Sequence, residues 1–136
     1  MPDMPSVNWD PVAGCVFCDL RVKGDRPVLA RTSSFFAVPD KYPVNSGHTL
    51  LIPYRHICRL RDLTSDEFAD FKKILEIVQD KLAYQGGEGF NIGINEGEVA
   101  GQTIGHLHIH VIPRYKGDVE SPRGGIRNIK PALVEY

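Results

Sequence analysis

Three of the five histidines in this chain occupy every second position of one short stretch, GHLHIHVIPR (residues 105–114). Alternate side chains of a β-strand share a face, so His106, His108 and His110 are predicted to point one way and the apolar residues between them into the core. Neighbouring imidazoles would then lie about 7 Å apart at Cα. That spacing suits groups that act along one extended ligand, such as a chain of phosphates, and it also allows two of them to converge on a metal. An exposed polar face without chemistry is the third interpretation.

The second chemical signal is Cys15-x-x-Cys18 near the N-terminus. Two intervening residues let both thiolates reach one ion, which is half of a tetrahedral zinc site. Because the chain has no second such pair, histidines would have to complete the site, and His56 and one of the three clustered histidines are the candidates. A pair of buried thiols is the alternative. Three cysteines, an odd number, argue against a disulfide framework and for a reducing, cytoplasmic environment.

One long helix and several short strands are predicted to position these residues. The helix follows from apolar residues spaced by three and four, with Thr64 and Glu67 as a capping box at its start and two glycines at its end, 86 and 87. Its predicted apolar face comprises Phe68, Phe71, Leu75, Val78 and Leu82. Strands are predicted over residues 28–31, 34–39, 48–53, 90–95 and 106–112. This order favours the α+β class, an antiparallel sheet with the helix packed on it.

Length and charge limit the possible partners. A chain of 136 residues forms one domain, and its net charge of −1 gives no bulk attraction to nucleic acid or to an anionic membrane. No stretch approaches the roughly 18 apolar residues of a membrane span, and the N-terminus does not resemble a secretory signal. We therefore expect a small-molecule partner, with no nucleic acid and no membrane. Residues 1–14 are expected to form a loose arm, residues 15–116 the domain and residues 117–136 a tail.

The motifs together resemble one known family. GHLHIHVI resembles the histidine-triad motif, His-φ-His-φ-His-φ-φ with φ apolar, of the HIT superfamily of nucleotide hydrolases and transferases. AGQTIGHLHIHVIPR (100–114) is similar to the corresponding block of the Fhit-like dinucleoside polyphosphate hydrolases, and SGHTLLIPYRH (46–56) to the preceding HIT segment. CVFCDL (15–20) resembles the N-terminal Cys-x-x-Cys segment of many prokaryotic members. After the triad, RYKGDVESPRGGIR (114–127) resembles a segment of bacterial HIT proteins. The resemblance implies a HIT-like α+β fold and a homodimer in which each copy contributes its helix and a sheet edge.

The resemblance also implies catalytic roles. His108 would attack the α-phosphorus of a nucleotide and form a nucleotidyl-histidine intermediate that water then hydrolyses. His110 would contact phosphate oxygens or assist the leaving group, and His106 would orient the site. Gln102 and Thr103 would hold phosphate oxygens where charge develops.

The same comparison implies a zinc ligand set of Cys15, Cys18, His56 and His106. Four protein ligands leave no position for water, so such a site is structural rather than catalytic. Mg²⁺ can accompany the phosphates of the substrate.

The nucleoside end is implied by position alone. By resemblance, apolar side chains sandwich the base, an acidic residue binds ribose hydroxyls and an amide reaches the phosphate; His48 would support the phosphates. The positions concerned are Phe17, Leu20 and Phe36 for the base, Asp40 for the ribose and Asn95 for the phosphate.

The expected substrate is a dinucleoside polyphosphate such as diadenosine tetraphosphate, because HVIPR resembles the Fhit-like branch. In the Hint-like phosphoramidase branch, glycines commonly follow the triad. His110, in place of a glutamine, argues against the uridylyltransferase and phosphorylase branches. Three alternatives stay open: a nucleoside phosphoramidate hydrolase, a nucleotide-binding module with incidental catalysis, and a metallohydrolase that binds its metal through the triad.

Overall fold

The fold is a five-stranded antiparallel sheet with one long helix against it, seen in a computed structural model that describes residues 11–21 and 25–131. The strands are β1 (Ala30–Arg31), β2 (Phe35–Pro39), β3 (Thr49–Pro53), β4 (Gly89–Gly93) and β5 (Ile109–Arg114). Their spatial order is β1-β2-β3-β5-β4, and all four pairings are antiparallel. The predicted α+β class is confirmed.

The long helix, α2 (Ser65–Tyr84), begins at the predicted capping box. Glu67 N donates to Thr64 Oγ1 at 3.1 Å, and Thr64 N donates to Glu67 Oε1 at 2.8 Å, so two N–H groups that the first turn cannot satisfy are paired. After Gln85 the chain turns at Gly86, whose φ of +107° is disfavoured for any residue with a Cβ.

The apolar face predicted for this helix is wrong at its first turn. Phe68 is 53% exposed, and Glu67 and Asp70 are buried instead. Both carboxylates are satisfied: Glu67 pairs with Arg55, with Oε1 and Nη2 2.7 Å apart, and Asp70 Oδ2 accepts from two groups in the turn at residues 32–34. The packed stripe runs through Ile74, Val78 and Leu82.

The two faces of the sheet are covered differently. One face packs on α2 through Phe35, Ala37, Leu51, Ile109 and Val111. The opposite face carries Phe36, Val38, Leu50 and Ile52, and the short helix α1 (Val16–Leu20) lies over it with both cysteines of the predicted metal pair. Burial on both faces explains why β2 and β3 are continuous apolar runs.

The histidine segment is only partly a strand. A strand was predicted from residue 106, whereas β5 begins at Ile109, so His106 and His108 precede it. A hydrogen bond of 2.6 Å from Leu107 N to Ile57 O takes the place of strand pairing there. The predicted alternation is kept, because Leu107, Ile109 and Val111 are buried in the core on the α2 side.

The predicted ends of the domain lie partly outside the described residues. Residues 1–10 of the predicted arm and residues 132–136 of the predicted tail fall there, while residues 11–14 are exposed. The described part of the tail folds back on the sheet: Arg114 binds Asp118, and Ile126 lies against Gly93 of β4. Among the described residues, no helix is both long enough and apolar enough to cross a membrane.

Candidate active site and metal centre

A cavity of about 510 Å³ opens on the sheet face opposite α2. It is lined by His108 and His110 and by four residues predicted to bind nucleotide: Phe17, Asp40, Asn95 and Thr103. The remaining predicted positions lie elsewhere. Leu20 and Phe36 are 6% and 1% exposed within the apolar cluster under α1, and Gln102 lies in the adjoining loop. The roles of all these residues stay predictions.

Hydrogen bonding fixes the tautomer of His108. Its Nδ1 lies 2.8 Å from the carbonyl oxygen of His106, and because a carbonyl only accepts, Nδ1 carries the proton and donates it. The neutral ring therefore keeps its lone pair on Nε2. Phe17 contacts the ring edge-on, with the ring centroids 4.9 Å apart, and restricts its rotation. His108 is thus held with a nucleophilic nitrogen beside an open cavity.

His110 receives a different hydrogen bond. Val44 N donates to His48 Nδ1 at 3.0 Å, so a neutral His48 carries its proton on Nε2. That Nε2–H faces His110 Nδ1 at 2.9 Å and Asp40 Oδ2 at 3.3 Å. Since His110 accepts through Nδ1, its own proton sits on Nε2, and His110 can donate a hydrogen bond to a ligand where His108 cannot.

Burial keeps this pair of histidines neutral. It lowers the pKa of His110 to about 4, helped by the nearby His108 and His48 and opposed by Asp40. Burial also lowers the pKa of His48, again against Asp40. Asp40 therefore neighbours uncharged imidazoles, and its Oδ1 accepts from Tyr42 N at 2.8 Å.

The loop before the triad is braced by Gln102. Its Oε1 accepts from Gly97 N at 2.9 Å and its Nε2 donates to Ile104 O at 3.1 Å. Gly97 and Gly101 both have positive φ, +92° and +96°, which lets the turn at Glu98–Ala100 close tightly. The loop presents Thr103 to the cavity.

Sequence reasoning missed part of the cavity wall, which also includes Val16, Arg26, Tyr42, Val44 and Leu50. Leu50 was within reach of a pattern argument, because His48 and Leu50 share a face of the predicted third strand and Leu50 pairs with His110. Val16 begins α1, and Arg26, Tyr42 and Val44 come from loops, whose path the pattern does not predict.

The predicted metal ligands form a second cluster next to the cavity. One ligand atom from each of Cys15, Cys18, His56 and His106 lies within 4.8 Å of all the others. The Sγ–Nδ1 separations are 3.4 Å for Cys15–His106, 3.3 Å for Cys18–His56 and 3.6 Å for Cys18–His106. Zn–S and Zn–N bonds of about 2.3 and 2.1 Å at a tetrahedral angle give an edge of about 3.6 Å, so these residues fit zinc.

The surroundings of the cluster favour metal binding. His106 Nε2 lies 2.8 Å from Pro53 O and donates to it, which leaves the Nδ1 lone pair facing the two cysteines. Burial lowers the pKa of His106 to about 4 and also lowers the pKa of His56, so both imidazoles are uncharged near neutral pH and each has one lone pair for a metal. Burial raises the pKa of the Cys15 thiol, and a cation bound there would favour its thiolate.

Acid is expected to destabilise the metal-free protein between about pH 6.5 and pH 4. Both His106 and His110 have a pKa of about 4 when folded, against about 6.5 when unfolded. In this window the unfolded chain binds more protons, so the free energy of unfolding falls as the pH falls, by at most about 3 kcal/mol per histidine. Urea unfolding in the presence of a chelator, repeated at several pH values, measures this change in the free energy of unfolding.

The interval from pH 6.5 to pH 5 is decisive, because carboxylates with ordinary pKa values near 4 contribute little there. A His110→Asn variant should show a shallower slope than the unmodified chain over this interval, with the remaining slope coming from His48, His56 and His106. An unfolding free energy independent of pH in both proteins would contradict the expectation.

The family comparison agrees with the fold and the motifs. The family model described as HIT domain matches residues 23–117. A bis(5'-adenosyl)-triphosphatase of Dictyostelium discoideum is 39% identical over 98 residues, 69% of this chain and 64% of that protein. An adenosine 5'-monophosphoramidase of Schizosaccharomyces pombe is 37% identical over 102 residues, 74% of each. An AP-4-A phosphorylase of Mycobacterium tuberculosis is 38% identical over 96 residues, which cover 67% of this chain. The same match covers only 48% of the phosphorylase, so this chain spans about half of its length.

Solved structures give the same answer. A Zn-bound histidine triad family protein from Mycobacterium smegmatis superposes with a TM-score of 0.69 at 35% identity, covering 79% of this chain and 80% of that one. The residues matched by the family model include the triad and all five strands. This chain belongs to the HIT domain family.

Proposed function

We propose that this protein cleaves nucleotides at the α-phosphate, with His108 as the nucleophile. The observation that carries the proposal is the hydrogen bond from His108 Nδ1 to His106 O, which leaves the Nε2 lone pair at a cavity of nucleotide size. Relatives named as a triphosphatase, a monophosphoramidase and a phosphorylase all act on adenine nucleotides by their names.

The reaction proceeds in two displacements. His108 Nε2 forms a bond to the α-phosphorus while the bond from phosphorus to the leaving oxygen breaks, and the leaving phosphate takes the electron pair. Water then attacks the same phosphorus and releases a proton to the solvent, while the phosphorus–nitrogen bond breaks and returns its electron pair to Nε2. The neutral His110, with its Nε2–H, donates to a phosphate oxygen as charge develops.

The geometry of the second cluster supports a structural zinc held by Cys15, Cys18, His56 and His106. When bound, zinc supplies a closed four-ligand cross-link between α1, the segment after β3 and the triad segment. His106 thereby contributes indirectly: its carbonyl orients His108 while its ring binds the metal.

The preferred substrate in this proposal is a dinucleoside polyphosphate, with Mg²⁺ on its phosphates. The protein is further proposed to be a cytoplasmic homodimer that binds no nucleic acid, with its domain over residues 15–116.

A substrate panel tests the proposal. Diadenosine tetraphosphate and adenosine 5'-phosphoramidate are supplied at equal concentration, and the products are separated by chromatography. AMP and ATP released faster than phosphoramidate is consumed would support the proposal. Faster phosphoramidate cleavage would instead establish the phosphoramidase alternative, which the same residues can catalyse.

The same panel tests which molecule accepts the nucleotidyl group from His108. Added inorganic phosphate should leave the products unchanged, because water is the proposed acceptor; ADP formed only with phosphate would identify a phosphorylase. Nucleotide binding without turnover of either substrate would overturn the enzymatic proposal and leave a binding module.

A further inference from the structure

Arg26 is a nearly buried cation in the wall of the catalytic cavity. Its side chain is only 13% exposed, and it lines the same space as His108 and His110. The mechanism proposed above does not use it. Burying a guanidinium is costly unless acceptors surround it, so its hydrogen bonds need to be accounted for.

Those hydrogen bonds are incomplete. Nη1 donates to Pro39 O at 3.3 Å, a long contact. The Nε–H is buried and has no hydrogen-bond partner among the described residues. Asp25 Oδ1 lies 3.8 Å from Nε, too far for a hydrogen bond, and that carboxylate is 74% exposed and screened by water. The Nε–H of Arg26 is therefore an unpaired donor at the wall of the cavity.

The register of the sheet puts one strand between His110 and the backbone that Arg26 contacts. Val38, Leu50 and His110 are directly paired across three neighbouring strands. Strands lie about 4.8 Å apart, so Val38 and His110 are separated by about 10 Å at Cα. Arg26 binds the residue after Val38, while His110 marks the phosphate end. Leu50 and Phe17 add apolar side chains to the lining of the same cavity.

We propose that Arg26 determines base specificity in this cavity and favours purines that carry a keto group at C6. The inference rests on the proposed function, since it takes the phosphate to be at His108. A guanidinium edge offers two parallel N–H donors, which match the adjacent O6 and N7 acceptors of guanine and hypoxanthine. Adenine presents N7 beside an amino donor, which leaves one of the two N–H groups unpaired.

Binding of three mononucleotides tests the assignment without relying on turnover. Calorimetry with GMP, IMP and AMP is expected to show GMP and IMP binding about tenfold tighter than AMP, the low end of what a bidentate pair discriminates. IMP is the informative ligand, because it shares O6 and N7 with GMP but lacks the 2-amino group. An Arg26→Met variant keeps the bulk of the side chain and should bring the three affinities within about twofold of one another, by weakening GMP and IMP.

The controls separate base recognition from simple charge. Arg26→Lys keeps the cation but not the two-donor edge, so it should lose the preference while it retains folding. Arg59→Met removes an exposed arginine that is paired with Asp62 outside the cavity, and it should change nothing.

Several outcomes would overturn the inference. Equal weakening of all three nucleotides by Arg26→Met, restored by Arg26→Lys, would assign the cation to phosphate. A wild-type protein that binds AMP as well as GMP, or better, would also overturn it. A protein that binds none of the three overturns the proposed function as well, whereas binding without base discrimination overturns only this assignment.

Discussion

Replacement of His108 by alanine is expected to lower the turnover of diadenosine tetraphosphate by at least about a thousandfold. The imidazole is the only group at the cavity whose tautomer is set to leave a lone pair free, among the described residues that the structure places there. His110 cannot substitute, because its Nδ1 is engaged by His48 and its Nε2 carries the proton. Steady-state rates on purified protein measure the loss.

A covalent adduct distinguishes loss of the nucleophile from loss of the fold. Rapidly acid-quenched wild-type protein should carry a nucleotidyl group by intact-protein mass spectrometry, and His108→Ala should carry none. The matched control is His110→Asn, which keeps the nucleophile and should still form the adduct at a reduced rate. An adduct that persists in His108→Ala would contradict the assignment, as would turnover within tenfold of wild type.

The strongest sequence signals were those in which neighbouring residues interact directly. The capping box of α2 needs only Thr64 and Glu67, three residues apart, and it forms as predicted. The alternation of histidines with apolar residues is also local, and it correctly orients Leu107, Ile109 and Val111. The start of β5 was missed because Leu107 bonds to Ile57, 50 positions away, instead of extending the strand ladder.

The face of α2 shows how distant partners override a periodic pattern. Phe68 fits the apolar spacing, but the surface opposite the first turn contains Arg55 and the polar turn at residues 32–34. Burying Glu67 and Asp70 there satisfies those groups and displaces the phenylalanine to the surface. Pairings of this kind depend on which segments become neighbours in the fold, and the spacing of residues along the helix does not predict that.

In the candidate site, too, some features are predictable from the sequence and others are not. The metal cluster was assembled from three separate segments by resemblance, and the structure brings its four ligand atoms together. The sequence does not predict the hydrogen bond from His48 to His110, which assigns the proton of His110, or the unpaired Nε–H of Arg26. Both depend on rotamers and on loops that the strand pattern does not describe.

Loss of the metal is expected to cost this protein a large part of its stability. Cys18 is fully buried, and its Sγ lies within 3.6 Å of both candidate histidine ligands, so Cys18→Ser removes a ligand that contacts both histidines. Structural zinc in small domains contributes on the order of 10 kcal/mol of binding energy that is available only to the folded state. Even a fraction of this should lower the melting temperature by roughly 10 °C or more. Calorimetry with metal analysis by mass spectrometry measures both quantities.

The same variant separates a structural metal from a catalytic one. Cys18→Ser, assayed below its melting temperature, should retain turnover within about tenfold of wild type, because the nucleophile is an imidazole and not a metal-bound water. Cys58→Ser is the matched control: Cys58 is exposed and its thiol donates to Gly105 O, outside the four-ligand cluster, so zinc content and melting temperature should not change. Loss of turnover in a folded Cys18→Ser protein would favour the metallohydrolase. Wild-type protein without zinc and with an unchanged melting temperature after chelation would exclude a structural role for the cluster.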